Sequence, residues 1–367
     1  MAEIVPVRVV FCWAEASPYS VACWRALAAR PGVDLHVVHP ERLLDRPNPF
    51  GSATLLDGIS NESFSASRRD LHRYLLGAVA GRRPDVVVLC GWIFWPYTRL
   101  VHAAPLQQAR FILGMDSPWR GTVPQRLARL RLARFTGGLD LVVTAGERSH
   151  EYARRIGIPE RNLRTGFYGF DYHQFAPAAE SRPAAWPRRF IFAGRYAPEK
   201  DLATLVAAYA RYRGQVDNPW TLTCCGTGPD SHLLRSPGIT DAGFVAPERL
   251  PQQLSEHGAF VLSSRFEPWG LVIAEAAAAG LPIVCSSACG AALEVVRPYH
   301  NGIVFAPGDV EALTRALRWI HNHESRLREM GRRGQPLAAA FSAEAWAERW
   351  HNYMLETLET GADAQAR

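Results

Sequence analysis

The 367-residue sequence lacks any run of about 18 uncharged apolar residues, the length that a helix needs to cross a bilayer. Its start, Met1 to Val10, has an acidic residue at position 3 and no long apolar core, so no secretory signal is expected there. These absences predict a cytoplasmic protein that is either free or peripheral on the inner face of the membrane.

Metal and disulfide chemistry also lack support. The seven cysteines are odd in number, and no two of them have C-x-x-C spacing. Most lie within apolar runs, so we expect reduced, buried thiols. Metal ligation by Cys285 and Cys289 is the alternative, but no matching histidine pair accompanies them. We therefore predict no metal site.

Two further absences limit the ligands. No G-x-G-x-x-G follows the first predicted strand, which disfavours a nicotinamide-dependent dehydrogenase. No run of like charges and no nucleic-acid motif occurs, so no nucleic-acid partner is predicted. The net charge of +6 suits anionic small ligands or an anionic membrane surface.

Short β-branched segments alternate with helical stretches along the chain. Apolar strands that helices cover are typical of a parallel sheet buried on both faces. The first half contains predicted strands 7–13, 33–39, 85–90, 110–115 and 139–145 and predicted helices 19–30, 67–80 and 123–135.

The alternation stops at residues 176–189, where proline and alanine predict an interdomain linker. The predicted fold class is α/β, with two Rossmann-like, doubly wound parallel-sheet domains, 1–172 and 173–342, facing across a cleft. A last helix within 343–367 has one apolar stripe and is expected to pack back on the first domain. After the linker come predicted strands 190–193, 221–225, 260–263 and 283–286 and predicted helices 201–213, 271–279 and 310–321.

The most informative segment is 263–280, SSRFEPWGLVIAEAAAAG, where a strand, a turn and an alanine-rich helix follow one another. Glu267 falls in the turn, and Glu275 lies in the helix that begins near Leu271. The free N–H groups of Gly270 and Leu271 suit an anionic diphosphate, and a nearby carboxylate can bind ribose hydroxyls. The alternative is that Glu275 complements the helix dipole and Glu267 is solvated. The occurrence of both glutamates favours a ligand site.

Other motifs accompany this segment. They are Gly194-Arg195 and Glu199-Lys200 after a strand, Gly226-Thr227-Gly228-Pro229 after another, and Tyr168-Gly169-Phe170-Asp171 before the linker. With the two glutamates and the later G-L-P-I-V, E-V-V, N-G and P-G-D sequences, they resemble the family-4 retaining glycosyltransferases of the GT-B fold. The resemblance covers about residues 160–345, and the first half matches only in architecture.

The resemblance implies a role for each residue. Arg195 and Lys200 would bracket the diphosphate of a nucleotide-sugar donor and stabilise the leaving nucleoside diphosphate. Glu275 would hold the ribose, and Glu267 would contact the donor sugar. The implied catalytic residues are Glu267, Arg195, Lys200 and Asp116. The implied donor-binding residues are Gly194, Arg195, Lys200, Gly226, Gly228, Glu267, Gly270, Leu271 and Glu275.

The sequence also lacks Asp-x-Asp, the motif that would signal a divalent metal carrying the diphosphate. We therefore expect metal-independent turnover without a bound cofactor. The nucleoside-diphosphate sugar is a co-substrate.

The first half departs from the family in two loops. Residues 15–19, EASPY, replace a Gly-Gly loop, and Met115 replaces a histidine. Asp116 either hydrogen-bonds a donor or acceptor hydroxyl or caps a helix. Five aromatic residues near the same predicted edge either suit a sugar ring or apolar acceptor or belong to the core: Trp92, Phe94, Trp95, Tyr97 and Trp119.

Residues 120–134, RGTVPQRLARLRLAR, predict a basic amphipathic helix. One interpretation is peripheral membrane contact with anionic lipid through 120–134. The other is that Leu127, Leu130 and Leu132 pack on the protein's own sheet while the arginines face water.

The combined motifs predict a retaining, hexosyltransferase-like enzyme. Its acceptor would be a carbohydrate, a lipid-linked molecule or a small molecule, in surface glycan, glycolipid or metabolite biosynthesis. The alternatives are a nucleotide-sugar epimerase or a phosphorylase on the same fold, and a non-catalytic nucleotide-sugar-binding protein.

Overall fold

The computed structural model describes residues 6–41 and 54–365. Contacts divide the chain into two units, Met1–Phe170 with Ala343–Arg367, and Asp171–Ser342. Residues 1–5, part of the start where no signal is predicted, lie outside the described residues. Each unit contains one parallel sheet with helices, which confirms the prediction of two Rossmann-like domains.

The first unit contains a seven-stranded parallel sheet in the order β3-β2-β1-β4-β5-β6-β7. Its strands are β1 (Val7–Cys12), β2 (Val33–Pro40), β3 (Asn61–Phe64), β4 (Val86–Cys90), β5 (Arg110–Met115), β6 (Leu141–Thr144) and β7 (Leu163–Thr165). In the central register, Val9 lies opposite Leu35 on one side and Val86 on the other. Strands β3 and β7 were not predicted from the sequence; both are short, contain polar residues and lie at the two edges of the sheet.

Helices pack around this sheet. They are α1 (Pro18–Ala28), α2 (Leu71–Ala80), α3 (Trp95–Thr98), α4 (Val123–Thr136), α5 (Glu147–Arg155) and, at the chain's end, α14 (Ala343–Gln365). Helix α14 lies against α1. Trp346 donates from its indole nitrogen to the Phe167 carbonyl oxygen at 2.8 Å, and Trp350 is fully buried. The apolar stripe of this helix therefore completes the core of the first unit.

The second unit contains a six-stranded parallel sheet in the order β10-β9-β8-β11-β12-β13. Its strands are β8 (Arg189–Ala193), β9 (Thr221–Cys225), β10 (Ile239–Asp241), β11 (Ala259–Leu262), β12 (Ile283–Ser286) and β13 (Gly302–Phe305). Its helices are α6 (Tyr172–Phe175), α7 (Pro177–Glu180), α8 (Leu202–Arg213), α9 (Leu250–Ser255), α10 (Leu271–Ala278), α11 (Ala291–Glu294), α12 (Val310–Asn322) and α13 (Glu324–Ala339).

The linker prediction for residues 176–189 is wrong. The segment lies inside the second unit, contains α7 and ends in the first residue of β8. Arg182 is buried there, and its guanidinium donates to the carbonyl oxygens of Leu254, His257, Ala279 and Gly280 at 2.9–3.2 Å. The segment has no apolar stripe that would indicate burial. A buried arginine attaches it to the rest of the unit, and composition does not show which arginine is buried.

No helix among the described residues is long and apolar enough to cross a membrane.

Arg182→Met should destabilise the second unit by about 3 kcal/mol, because it removes the guanidinium donors to four carbonyl oxygens, of which, among the described residues, Leu254 alone keeps another donor, the His257 N–H. Burial lowers the pKa of the Arg182 guanidinium to about 10, so the side chain remains charged near neutral pH. Calorimetric melting of the full chain measures the change. Arg188→Met removes an exposed arginine of the same segment and should cost at most about 1 kcal/mol. Equal, small losses in both variants would contradict the role given to Arg182.

Candidate functional site

The candidate site lies where the strand order of the second sheet reverses. Strands β8 and β11 are neighbours there, while the chain proceeds outward from β8 to β9 and from β11 to β12. Open parallel sheets bind ligands beyond the carboxyl ends of the strands at such a reversal. The two loops at this position are 194–201, after β8, and 263–270, after β11. They contain most of the residues that the sequence predicts to bind the donor.

A glycine-rich turn after β9 packs directly against the first loop. Gly194 donates its N–H to the Cys225 carbonyl oxygen at 2.9 Å. A Cβ placed on Gly226 would lie 1.9 Å from the Gly194 carbonyl oxygen, and one on Gly228 would lie 2.3 Å from that of Tyr196. Side chains at 226 and 228 would therefore push the two turns apart, which explains the glycines in this motif.

Lys200 and Glu267 form an ion pair between the two loops, from Nζ to Oε2. Each side chain is only 13% exposed, so the attraction is screened less than at the surface. The Ser263 hydroxyl is 2.9 Å from the Lys200 carbonyl oxygen, which fixes the backbone behind the pair. Two predicted site residues, 67 positions apart, are thus in direct contact. The alternative that Glu267 is a solvated surface residue is wrong.

Lys200 is the only lysine in a sequence whose lysines and arginines together number 41. The others are all arginines, yet the residue between the loops after β8 and β11 is a lysine, which has an ammonium group. This compositional signal is visible in the sequence alone. It indicates that position 200 requires the compact, flexible ammonium group of lysine and not the planar guanidinium of arginine.

Backbone contacts join the two loops as well. Arg265 donates its N–H to the Glu199 carbonyl oxygen at 2.8 Å, and its guanidinium pairs with Asp201 at 2.8 Å. Asp201 has a left-handed backbone, with φ of 52°, and its carboxylate caps α8 by accepting from the Thr204 N–H. The loops after β8 and β11 therefore form one connected surface.

Arg195 is placed differently from Lys200. Its side chain is 66% exposed and pairs with Glu199 at 2.6 Å. Among the described contacts it does not reach the Lys200–Glu267 pair. A ligand would have to compete with one partly exposed carboxylate for this guanidinium, which costs little.

The start of α10 lies beside Glu267. Gly270 precedes the helix with φ of 97°, a left-handed conformation that a side chain would strain. A Cβ there would lie 3.0 Å from the Glu267 Cγ. Leu271 is the first helical residue, so its N–H has no acceptor within the helix. Gly290 donates its N–H to the Glu267 carbonyl oxygen at 3.2 Å, which ties this loop to the end of β12.

Glu275 is buried in α10, and burial raises the pKa of its carboxyl to about 8. The carboxyl is therefore mostly protonated near neutral pH in the unliganded protein. A helix dipole that stabilised its charge would lower the pKa instead. The alternative that Glu275 only complements the helix dipole is therefore not supported.

Asp116, the predicted catalytic residue of the first unit, lies directly after β5. The Tyr168 hydroxyl donates to its carboxylate at 2.8 Å. Helix α4 begins at Val123 with Thr122 at the N-cap, so the helix-cap interpretation of Asp116 is wrong. Met115 is buried in the strand before it, where it fills the core.

The predicted aromatic cluster belongs mainly to the core of the first unit. Tyr97 is fully buried, and its hydroxyl donates to the Val38 carbonyl oxygen at 2.9 Å. Phe94 packs on Tyr97 with ring centroids 4.8 Å apart. Trp92 and Trp119 are partly buried against the same core. Trp95 is exposed, with the Arg99 guanidinium over its ring at 4.1 Å.

A recess of about 720 Å³ in the second unit was not predicted from the sequence. It lies beside the glycine-rich turn, because Gly226 donates its N–H to the Gly243 carbonyl oxygen at 2.7 Å. The Tyr196 hydroxyl and the Gly243 N–H both donate to the Asp241 carboxylate, which fixes this wall. The recess is lined by Ala242, Phe244, Val245, Ala246, Arg249, Gln252 and Gln253.

None of the seven cysteines, all of which lie among the described residues, forms a disulfide, and six of them are buried. Burial raises the pKa of the Cys289 thiol to about 12 and holds that of the Cys285 thiol well above its ordinary value, so both remain protonated. Among the described residues, no group of three or more His, Cys, Asp or Glu side chains is arranged to hold a metal ion.

Removing one partner of the Lys200–Glu267 pair should destabilise the second unit. Lys200→Met leaves a carboxylate that is largely buried, at a cost of about 2 kcal/mol, below the range for complete burial. The double variant Lys200→Met with Glu267→Gln should lose less than the sum of the single variants by at least about 0.5 kcal/mol.

Calorimetric melting of the three variants and the wild type gives this coupling energy. Arg195→Met, which breaks an exposed pair in the same loop, is the matched control and should change stability by less than about 1 kcal/mol. Additive losses for Lys200 and Glu267 would show that the two charges do not depend on each other.

Comparison with known proteins finds a family model that matches most of the second unit. Residues 179–336 match the family model described as Glycosyl transferases group 1. The chain is 35% identical over 274 residues to glycogen synthase of Mycobacterium tuberculosis, covering 69% of this chain and 64% of that protein. It is 29% identical over 199 residues to a GDP-mannose-dependent alpha-mannosyltransferase of the same species, covering 51% and 46%. The chain thus spans less than two thirds of the length of each relative.

Solved structures give the fold of the whole chain. Anabaena HepE in complex with UDP and glucose has a TM-score of 0.74 at 17% identity and covers 95% of this chain and 100% of that one. A glycosyltransferase from Rickettsia africae has a TM-score of 0.77 at 13% identity, covering 96% and 99%. The chain therefore has the predicted GT-B fold, and its residues 179–336 carry a Glycosyl transferases group 1 domain.

Proposed function

We propose that the protein is a family-4 retaining glycosyltransferase, which moves a sugar from a nucleoside-diphosphate sugar to an acceptor hydroxyl without a metal ion. The Lys200–Glu267 ion pair at the strand-order reversal carries this proposal. It holds a cation and a carboxylate ready beside a glycine-rich turn and a helix start. The relatives include a GDP-mannose-dependent mannosyltransferase, and one structural neighbour holds UDP and glucose, which supports a nucleotide-sugar donor.

The pair provides a way to receive the donor. Lys200 is held by Glu267 in the unliganded protein, and diphosphate oxygens compete for the same ammonium. When they bind, the Glu267 carboxylate is released to accept hydrogen bonds from the donor sugar. The Lys200 charge then stabilises the leaving nucleoside diphosphate as the glycosidic bond breaks. Arg195 joins it by exchanging the partly exposed Glu199 carboxylate for phosphate.

The neighbouring elements would hold the rest of the donor. The N–H groups of Gly270 and Leu271 at the start of α10 suit the diphosphate. Glu275, four residues further along, is proposed to bind the ribose, and its raised pKa lets it donate as well as accept a hydrogen bond. The recess beside Gly226 is proposed to take the nucleoside base, with the partly exposed ring of Phe244 as a stacking surface.

In the first unit, Asp116 is proposed to accept a hydrogen bond from an acceptor hydroxyl. The Tyr168 hydroxyl already orients its carboxylate. As retaining enzymes of this kind are described, the departing phosphate takes the acceptor proton on the same face of the sugar. No separate general base is then required. The acceptor class remains a carbohydrate, a lipid-linked molecule or a small molecule.

The single lysine makes the donor site directly testable. Reductive methylation of the full chain modifies Lys200 and the α-amino group only, and peptide mass spectrometry measures both rates. A bound nucleotide sugar should protect Lys200, by about 100-fold at 100 times the dissociation constant if only the free form reacts. The α-amino group is the internal reference. UDP-, GDP-, ADP- and dTDP-sugars are compared.

Thermal shift checks the same binding independently. The correct donor should add about 2.7 kcal/mol at 100 times its dissociation constant, and Arg195→Ala should lose most of this gain. The control is Arg188→Ala, which replaces the exposed arginine directly before β8 and should leave the stability gain unchanged. If none of the four nucleotide-sugar classes protects Lys200 from methylation and none raises the melting temperature, the proposed donor site is wrong.

With the donor identified, product analysis separates the candidate activities. A glycosyltransferase forms product only with an acceptor, and NMR of the new bond should show the donor's anomeric configuration. Excess chelator should leave the rate unchanged. Conversion of the donor without acceptor would indicate an epimerase, inversion would refute retention, and a strict Mg²⁺ or Mn²⁺ requirement would refute metal independence.

A further inference from the structure

Helix α4 of the first unit has apolar side chains on its outer face. Val123, Leu127 and Leu130 are 67%, 41% and 78% exposed. They follow one another at helical spacings of four and three residues, so they form one stripe along the helix. An exposed stripe of this kind on a well-packed helix calls for an explanation, because single exposed apolar residues do not line up by helical period.

The same helix is anchored by its opposite face. Ala128 and Phe135 are buried in the core of the first unit, and Leu132 packs against it. The expectation that all three leucines share one side is therefore wrong. Leu132 faces the sheet, whereas Leu127 and Leu130 face outward. The stripe is thus additional to the surface that attaches α4 to its own unit.

Arginines flank the stripe. Arg126, Arg129, Arg131 and Arg134 are all exposed, and among the described residues no carboxylate lies within ion-pair distance of any of them. The sequence from Ser117 to Leu139 contains no aspartate or glutamate. By contrast, the exposed Arg315 of α12 pairs with Glu311 in its own helix. The outer face of α4 therefore combines apolar side chains with uncompensated positive charge.

Two more apolar side chains lie at the sheet edge where α4 begins. Ile93 follows β4 and is 85% exposed, and Trp95 is exposed beside it. Strands β4 and β5 are parallel neighbours, so their following loops leave the same edge of the sheet. Trp92 and Trp119, one from each loop, both contact Tyr152, with ring centroids 5.9 and 5.6 Å from it.

We propose that the outer face of α4 docks on an anionic lipid bilayer. In this arrangement Val123, Leu127 and Leu130 enter the boundary between headgroups and acyl chains, and the four arginines bind lipid phosphates. A second copy of the chain fits this face poorly, because pairing two stripes would bring two sets of arginines together. A nucleic acid would use the arginines but leave the stripe in water.

This docking would place the first unit, in which we predict acceptor binding, at the membrane surface. It is independent of the donor site, since no residue of the second unit takes part. Donor binding without vesicle binding would refute the docking alone, and vesicle binding without donor binding would refute the donor site alone.

Co-sedimentation of the full chain with vesicles tests the docking. One vesicle contains phosphatidylcholine alone, and the other contains equal amounts of phosphatidylglycerol and phosphatidylcholine. The protein should bind only the second, and less at about 0.5 M than at about 0.1 M salt, because salt screens exposed charges. Absence of binding to the anionic vesicles at the lower salt would overturn the proposal.

Two variants separate the apolar and ionic parts. Leu127→Gln with Leu130→Gln should lower the partition coefficient at least about tenfold by removing the inserted side chains. Arg131→Gln with Arg134→Gln should lower it about fivefold per charge. Arg315→Gln with Arg318→Gln removes the same charge from α12 and should change it little. Leu355→Gln, at another exposed leucine of the first unit, is the apolar control.

Melting temperature and Lys200 protection should be unchanged in all four variants, which shows that the fold and the donor site are intact. Unchanged binding by the double leucine variant would refute insertion. Affinity for heparin, a soluble polyanion, is measured in parallel. If the protein binds heparin as tightly as it binds vesicles, and the leucine substitutions do not weaken heparin binding, the face binds a polyanion instead of a bilayer.

Discussion

The reversal of strand order between β8 and β11 determines where the second unit can bind a ligand. In a parallel sheet every strand ends at the same edge, and connecting helices cover both faces. Only at the reversal do two adjacent strands send their chains in opposite directions, which leaves a gap between their loops. Lys200 and Glu267 meet in that gap. The glycines at 226 and 228 allow the turn after β9 to pack closely against the loop after β8.

The sequence predicted the apolar, central strands well, because a buried parallel strand reads as an uninterrupted β-branched run. Strands β3, β7, β10 and β13 escaped prediction, and they are the four edge strands of the two sheets. All four are short. Strands β3, β7 and β10 contain polar residues such as Asn61 and Thr240 that indicate loops, and β13 is only four residues long, GIVF. Their place in the sheet comes from hydrogen bonds to a strand already formed. That information is not local to the segment.

Site residues were predicted through motifs, and the structure shows which of them touch. Spacing alone puts Glu267 and Lys200 in separate loops, 67 residues apart, and cannot say that they pair. Burial is equally non-local, so the sequence does not show that Glu275 and Arg182 are buried. Burial raises the pKa of the Glu275 carboxyl to about 8, and the Arg182 guanidinium donates to four carbonyl oxygens. The leucines of α4 show the same limit, because periodicity does not reveal which side of a helix is covered.

The choice of lysine at position 200 fits the geometry. A Cβ placed on Gly194 would lie 3.7 Å from the Lys200 Cε, so the aliphatic stem passes close to the backbone of the first loop. A guanidinium is wider than an ammonium and holds its donors in a fixed plane. It would need more room between the loops and could not turn from one oxygen to another. An ammonium can exchange a carboxylate for a phosphate with little rearrangement, which is the step that donor binding requires at this pair.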